Sequence, residues 1–219
     1  MTSREFRDRL LRRSRRFDIV PPADVVAALE SYVRLLARWN EKINLTALPV
    51  ARLDDEAVDR LLVEPLVAAR YARAGTRSLI DIGSGSGSPA IPLALALPGV
   101  RLRMVESKTR KAVFLTEVCR ELGLHEAAVE TARFEQLLAR PELHESADLL
   151  SVRAVRVETR VLVTLQAFVR PMGQLFWFRS AAGADTGGHV PPPLEWAASH
   201  PLGDRSRLVV LTKGLGARG

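Results

Sequence analysis

Three glycines at alternate positions, Gly83, Gly85 and Gly87, separate a short apolar run from a helical pattern near the middle of this chain. The run over residues 78–82 predicts a β-strand, and the apolar residues of 90–97 recur at helical spacing. Glycine takes positive φ cheaply and lets a ligand approach the backbone, while a helix N-terminus presents free N–H groups. The stretch 79–92 indicates a cradle for a nucleotide-type ligand, although such a turn alone is as compatible with an ordinary loop.

Two carboxylates accompany this turn. Asp81 lies at the end of the first strand, and Glu106 ends the second predicted strand, where an acid can accept both hydroxyls of a ribose. A pyrophosphate cofactor requires G-x-G-x-x-G, but Ser88 occupies the third glycine position, and Asp81 would repel the pyrophosphate. An acid at position 81 suits a cofactor that carries an ammonium and a sulfonium group. The pattern therefore favours S-adenosylmethionine over NAD.

The elements that must position these residues alternate between strand and helix. The predicted strands are 78–82, 101–106, 127–131, 148–152, 174–178, 196–202 and 207–212, and helical patterns at 109–122, 134–139 and 158–168 lie between earlier members. Such alternation gives a parallel sheet with right-handed crossovers. The last two strands have no room for a helix between them, so we expect an α/β fold, a mostly parallel seven-stranded sheet with an antiparallel edge hairpin.

Ligands of an open parallel sheet bind beyond the carboxyl ends of its strands, so the residues just after each strand are the candidates for a site. We expect the cofactor to contact Asp81, Gly83, Ser84, Gly85, Gly87, Glu106, Ser107, Ala132, Arg133 and Arg153. Arg153, just after the fourth strand, could also pair bidentately with a phosphate or a guanine edge, as guanidinium groups do. The alternative for Arg153 is a surface or carboxylate-paired arginine.

The segment before the sheet predicts a helical cap. Apolar residues recur at helical spacing over 24–39 and again over 53–72. Residues 1–16 carry seven arginines against two acids, which predicts a basic arm that contacts phosphates, or else a solvated tail or a targeting segment. We therefore divide the chain into an arm (1–20), a helical cap (21–75) and a cofactor-binding core (76–219), with cap and core as one unit.

The composition limits the remaining classes of function. The chain of 219 residues has a formal net charge of +7, which favours a polyanionic partner. Its one cysteine, Cys119, and four scattered histidines predict neither a disulfide nor a zinc site. No stretch of eighteen apolar residues and no apolar signal core is present, so we expect a soluble, cytoplasmic protein without a membrane partner. We also expect a monomer, although no sequence pattern determines the oligomeric state.

Several stretches together resemble the RsmG family, also called glucose-inhibited division protein B. They are 39–47 (WNEKINLTA), 81–94, Glu106-Ser107 with Arg110-Lys111 and Phe114-Leu115, and Asp148 with Arg153-Ala154, in the family's order over about 25–213. The resemblance implies a Rossmann-like class I methyltransferase with an N-terminal helical cap. It also implies N7 methylation of one guanine in bacterial small-subunit (16S) ribosomal RNA.

The chain also departs from that family's pattern. An Arg-His pair followed by Asp-Ser is replaced by Asp59-Arg60 and Val63-Glu64, a serine by Val152, and a Leu-Lys-Gly by Phe178-Arg179-Ser180. The cofactor half is kept and the presumed substrate half is altered. Alternatives are therefore a methyltransferase with another RNA or a small-molecule acceptor, and a catalytically lapsed RNA-binding relative.

Methylation of guanine N7 needs no general base, because N7 carries a lone pair and no proton. We expect Arg153 and Asn44 to orient the acceptor, Asn44 by closing over the site from the cap, although a turn or helix-capping role fits Asn44 equally. RNA contacts are expected from the arm and from Lys108, Arg110, Lys111 and Arg179. A solvated helix face is an equal alternative for Arg110 and Lys111.

Overall fold

The computed structural model describes residues 1–153, 158–182 and 190–215. The α-helices in those ranges are α1 (Ser3–Arg15), α2 (Ala23–Asn40), α3 (Asp55–Val58), α4 (Glu64–Ala69), α5 (Ala90–Ala96), α6 (Thr109–Glu121) and α7 (Thr159–Leu165). A π-helical turn, Asp59–Val63, joins α3 to α4, and 3-10 turns occupy Phe134–Ala139 and Pro141–Leu143. Most of the predicted loop 181–193 lies outside the described residues, and so does Ala154.

The strands are β1 (Ser78–Ile82), β2 (Arg101–Val105), β3 (Ala127–Glu130), β4 (Ala147–Arg153), β5 (Val169–Ser180), β6 (Leu194–Pro201) and β7 (Ser206–Lys213). They form a seven-stranded sheet in the order β3-β2-β1-β4-β5-β7-β6. The first five strands pair in parallel, and β7 runs antiparallel to both β5 and β6. The predicted α/β fold with an antiparallel edge hairpin is confirmed.

The two faces of the sheet bury different clusters because side chains alternate along each strand. Leu79 and Phe176 face a cluster with the cap residues Leu29 and Leu36, whereas Ile80 and its neighbours face the α7 side. The cap thus shares one hydrophobic core with the sheet. No helix in the described parts of the chain is both long and apolar enough to cross a membrane.

The predicted basic arm is a docked amphipathic helix. Thr2 and Glu5 form a capping box at the start of α1, and Phe6 and Leu10 are buried on its inner face. Arg13 Nε donates to Asp59 Oδ1 at 2.7 Å. The alternative of a solvated, partly disordered tail is therefore wrong for Ser3–Arg15, because apolar burial and ion pairs to the cap order this segment.

Asp148 fastens the start of β1 to the start of β4, at the amino end of the strands. Its Oδ2 accepts hydrogen bonds from the backbone N–H groups of Arg77 at 2.7 Å and Ser78 at 2.8 Å, and from Ser78 Oγ at 3.0 Å. Arg170 forms an ion pair with its other oxygen. Asp148, one of the residues that carry the family resemblance, therefore holds the sheet together at the end opposite the glycine turn.

Candidate functional site

The glycine turn leaves the carboxyl end of β1 and is tied to the neighbouring strand. The backbone N–H groups of Gly83 and Ser84 both donate to the carbonyl of Val105, at 2.9 and 3.1 Å. Gly83 and Gly85 have φ of +73° and +52°. A Cβ added at Gly85 would meet only the carbonyl oxygen of Gly83, at 3.6 Å. The backbone at Gly85 is therefore accessible to a ligand, as the glycine spacing predicted.

Gly87 is constrained differently, because the cap packs on it. With φ of +90°, a Cβ there would lie 3.1 Å from Ile91 Cγ1 and 3.3 Å from Tyr32 Cε2. The buried Tyr32 hydroxyl donates to the carbonyl of Ser86 at 2.7 Å, and burial raises its pKa well above the ordinary value. Gly87 was predicted to contact the cofactor; in the structure it is buried and lets α2 sit directly on the turn.

Asp81 is almost fully buried, with one carboxylate oxygen left unpaired. Its Oδ1 accepts a hydrogen bond from Ser151 Oγ on β4, whereas its Oδ2 has no hydrogen-bond partner. Burial raises the pKa of Asp81 to about 6, and the Ser151 hydrogen bond opposes that rise. Ser84 is also buried, and its Oγ donates to the main-chain carbonyl of Asp81 at 3.1 Å. A buried, unsatisfied carboxylate oxygen is a vacant acceptor that suits an ammonium group.

Glu106 stands between the glycine turn and the next loop. Its Oε2 accepts from the backbone N–H of Gly85 at 2.9 Å, and its Oε1 accepts from that of Lys108 at 2.8 Å. Each carboxylate oxygen can accept a second hydrogen bond. Glu106 thus holds the turn in shape and keeps acceptor capacity for ribose hydroxyls.

A cavity of about 220 Å³ opens beside Glu106. Its lining consists of Ile82, Gly83, Val105, Glu106, Ser107, Ala132, Arg133, Phe134 and Glu135. Five of these residues were predicted to bind the cofactor, and the structure brings them together. Sequence reasoning missed Phe134 and Glu135, which directly follow Arg133 at the start of a 3-10 turn. An aromatic ring next to Ala132 makes this wall suitable for a flat base.

The π-helical turn of the cap lies against the end of β4, and a proline directly follows it at the start of α4. Pro65 has no N–H, so the carbonyls of Leu61 and Arg60, four and five residues earlier, lack the main-chain donor at that position. Ser88 Oγ donates to the carbonyl of Leu61 at 2.8 Å, and Arg153 Nη1 donates to that of Arg60. The core thus supplies the hydrogen bonds that the cap helix cannot make for itself.

Arg153 is enclosed on several sides. Its Nη2 donates to Glu64 Oε2 at 2.7 Å, its Nη1 lies 3.4 Å from Ser88 Oγ, and its guanidinium lies 4.4 Å from the centre of the Phe178 ring. Burial lowers the pKa of Arg153 to about 10, so the side chain is protonated at neutral pH. This contact corresponds to the alternative that the sequence left open for Arg153, an arginine paired with a carboxylate.

The loop after α2 is organised by Asn40 rather than by Asn44. Asn40 Oδ1 accepts from the backbone N–H groups of Leu45 and Thr46, both at 2.9 Å, while Asn44 is exposed. Trp39 Nε1 donates to Glu117 Oε2 at 3.0 Å, which fastens the cap to α6. Asn44 is not among the residues that line the cavity beside Glu106. Its predicted role at the site stays a prediction.

The predicted RNA-contacting cations lie in two places. Lys108 and Arg110 are exposed at the start of α6, near exposed Ser107, and Lys111 is half-buried. The guanidinium of Arg179 on β5 lies 4.4 Å from the centre of the Trp177 ring, a stacked arrangement typical of cation–π contacts. Among the described residues, no cluster of three or more His, Cys, Asp or Glu is placed to hold a metal.

Comparison with known proteins identifies the family to which this chain belongs. A family model described as rRNA small subunit methyltransferase G matches residues 25–186, which include the cap, the glycine turn and Arg153. The chain belongs to the rRNA small subunit methyltransferase G family. Ribosomal RNA small subunit methyltransferase G of Xylella fastidiosa strain 9a5c is 35% identical over 177 residues, covering 81% of this chain and 79% of that protein. The Xanthomonas campestris strain B100 protein of the same name is 34% identical over 194 residues, covering 86% and 87%.

Solved structures are similar in fold. A SAM-dependent methyltransferase from Aquifex aeolicus matches with a TM-score of 0.57 and 15% identity, over 74% of this chain and 96% of that one. A variant of MtNAS in complex with S-adenosylmethionine matches with a TM-score of 0.58 and 18% identity, over 84% and 73%. The Rossmann-like methyltransferase fold predicted for this family member is confirmed.

Some of the positions where this chain departs from the RsmG pattern contact Arg153. Glu64 pairs with it, Arg60 supplies a carbonyl to it, and Val152 precedes it in the sheet. Arg60 Nη1 also donates to Ser206 Oγ at 3.1 Å on β7. The other altered positions are Asp59, paired with Arg13, the buried Val63, the stacked Arg179 and the exposed Ser180. Three altered positions, Glu64, Arg60 and Phe178, thus contact Arg153, whereas Asp59 and Arg179 contact other residues.

Proposed function

We propose that this chain transfers the methyl group of S-adenosylmethionine to N7 of a guanine in the small-subunit (16S) ribosomal RNA. The observation that carries the proposal is the buried, unpaired carboxylate oxygen of Asp81 beside an open glycine turn. Family membership supports the methyl-transfer reaction and the class of RNA. The N7 position follows from the RsmG resemblance.

The residues present fit the cofactor at each of its ends. Asp81 would accept from the ammonium group, and the accessible backbone at Gly85 would border the methionyl part. Glu106 would accept from the ribose hydroxyls, and the Ala132 and Phe134 wall of the cavity would contact the adenine. When bound, the cofactor supplies an electrophilic methyl group on a sulfonium. The chain itself supplies anchoring acceptors and a wall that excludes water from one side of the base.

The acceptor needs alignment rather than proton transfer. Guanine N7 has a free lone pair, so the reaction needs no general base, and orientation alone can lower a barrier by roughly 7 to 11 kcal/mol. We assign Arg153 to the acceptor side, because it emerges from the carboxyl end of β4 next to β1. Asn44, exposed in the loop after α2, is the candidate for closure from the cap.

RNA binding would use cations at the start of α6, next to the Ser107 wall of the cavity, and one cation on β5. Lys108 and Arg110 at the start of α6, with Lys111 and the stacked Arg179, are suited to phosphate contacts. The formal net charge of +7 favours the same partner. Such contacts lose affinity steeply as salt rises, because each neutralised phosphate releases counterions.

Labelled methyl transfer tests the proposal. Purified protein, labelled S-adenosylmethionine and small ribosomal subunits from cells lacking the gene should yield label in small-subunit RNA, with large subunits as the control. S-adenosylmethionine should also raise the melting temperature, and NAD should not. No transfer to any ribosomal RNA, despite cofactor binding, would favour a different acceptor or a lapsed relative.

A further inference from the structure

The contact between Glu64 and Arg153 is an ion pair withdrawn from water. Only 5% of the Glu64 side chain and 12% of the Arg153 side chain are exposed, and the N–O distance is 2.7 Å. Such a pair gains little stability over an apolar alternative, since removing two charges from water offsets their attraction. The pair joins the cap to the end of the strand that borders the glycine turn. Its position suggests a role in the site as well as in packing.

Arg153 lies at the end of β4, just beyond the Ser151–Asp81 pairing with β1, and charged side chains of both signs surround it. Arg60 and Arg153 are cationic, while Glu64 and Asp81 are anionic, and electrostatic coupling joins each of the other three to Arg153. The positive charge of Arg153 lowers the pKa of Asp81, against the larger effect of burial. Glu106 also acts on Asp81, and Asp59 acts on Glu64. Without the charge of Glu64, the Arg153 guanidinium would lose its carboxylate partner, and the electrostatic potential at this end of β4 and β1 would become more positive.

S-adenosylmethionine itself carries a net positive charge. Its ammonium and sulfonium groups outweigh its single carboxylate, whereas the demethylated product S-adenosylhomocysteine has no sulfonium and is neutral overall. An uncompensated Arg153 would compete for Asp81 and repel the sulfonium. It would leave the product much less affected, because only the methylated cofactor has the second cation.

We propose that Glu64 is the counter-ion of Arg153 that lets this pocket accept a cationic cofactor. Glu64 pairs with the guanidinium at 2.7 Å and, with the carbonyl of Arg60, holds it on the cap side. Glu64 is thus a positioning residue that sets the preference for S-adenosylmethionine over its product. The inference rests on the proposed function, since it assumes that this pocket binds that cofactor.

Two substitutions separate charge from shape. Glu64→Gln keeps the size and a hydrogen-bond acceptor but removes the charge, whereas Glu64→Asp keeps the charge but shortens the reach. The matched control is Glu145→Gln, because Glu145 pairs with the buried Lys213 at 2.8 Å, just before the opposite end of β4. Dissociation constants for S-adenosylmethionine and S-adenosylhomocysteine are measured by calorimetry on the same preparation of each full-length variant. The ratio of the two constants does not depend on the folded fraction.

We expect Glu64→Gln to weaken S-adenosylmethionine roughly tenfold more than S-adenosylhomocysteine, as loss of one nearby charge in a poorly solvated site implies. Glu64→Asp and Glu145→Gln should keep the wild-type ratio. Equal weakening of both ligands by Glu64→Gln would show that Glu64 only supports the cap, and an unchanged ratio with unchanged affinities would likewise overturn the counter-ion role. Wild-type protein that binds neither ligand would refute the cofactor assignment itself, and this role with it.

Discussion

Replacing Asp81 by asparagine should stabilise the unliganded protein while it weakens cofactor binding. The pKa of Asp81 rises from 3.8 to about 6 on folding, mainly because the carboxylate is buried. At about 1.4 kcal/mol per pKa unit, the ionised carboxylate costs the folded state roughly 3 kcal/mol. The asparagine side chain of the variant would have no ionic charge to bury and would keep an acceptor for Ser151 Oγ.

The direction in which stability changes with pH follows from proton binding to Asp81. Between pH 3.8 and about 6 the folded state holds the Asp81 proton more often than the unfolded state does, so stability falls as pH rises through this window. The full penalty applies above about pH 6. At pH 7, Asp81→Asn should therefore raise the free energy of unfolding by up to about 3 kcal/mol, which corresponds to at most roughly 6 to 12 °C in melting temperature for a chain of this size.

Denaturant unfolding at pH 7 and calorimetric titration with S-adenosylmethionine measure the two effects. Loss of the charged partner for the ammonium group should weaken binding by roughly tenfold or more. Asp148→Asn is the matched control, since Asp148 is also buried in the sheet but its Oδ2 accepts hydrogen bonds from Arg77 and Ser78. That control should lose about 1 to 3 kcal/mol of stability. If Asp81→Asn destabilises the unliganded protein as Asp148→Asn does, Asp81 is a structural residue and the reasoning is refuted.

Three further predictions concern the same turn. The affinity for S-adenosylmethionine should fall as pH drops below about 6, where Asp81 becomes protonated, and should be constant above it. Gly87→Ala should lower the free energy of unfolding by about 1 to 3 kcal/mol, because a Cβ there crowds Tyr32 at positive φ, whereas Gly85→Ala should be milder and act mainly on cofactor affinity. Tyr32→Phe should cost about 1 to 2 kcal/mol by leaving the Ser86 carbonyl without its donor.

Each of these predictions has a control. Asp81→Asn should abolish the pH dependence of cofactor affinity, and a persistent dependence would assign it to another group. Denaturant melts of Gly85→Ala and Gly87→Ala should differ in the stated order, and the reverse order would contradict the packing of α2 on Gly87. Tyr32→Phe should leave the thermal shift caused by saturating cofactor largely intact. Loss of that shift would mean that the hydroxyl reaches the ligand site.

Local patterns predicted the sheet and the turn well. β1 was predicted at its observed bounds, because the apolar residues Leu79, Ile80 and Ile82 end directly before Gly83. Glu106, Ala132 and Arg133 could be assigned to one cavity because parallel strands end at a common edge. β5 begins earlier than predicted, at Val169, because the chain already pairs with Ala147 of β4 there, before an irregularity in the register.

Contacts between distant residues could not be predicted in this way. Arg153 and Arg60 are 93 residues apart, and Tyr32 and Ser86 are 54 apart, so no periodicity joins them. The helical pattern over 53–72 predicted one helix, and it indicated neither the π-helical turn at Asp59–Val63 nor the hydrogen bonds that the core donates to its carbonyls. The docking of α1 similarly depends on the pairing of Arg13 with Asp59, which sequence alone presents as unrelated surface charges.

The measurement that tests the central claim most directly identifies the methylated nucleoside. Small-subunit RNA from cells lacking the gene is incubated, as assembled subunits, with S-adenosylmethionine and the purified protein, then digested and separated by mass spectrometry. Wild-type protein should produce N7-methylguanosine, and Asp81→Asn should produce much less at limiting cofactor. Another methylated nucleoside, or none, while the protein binds S-adenosylmethionine normally, would contradict the account.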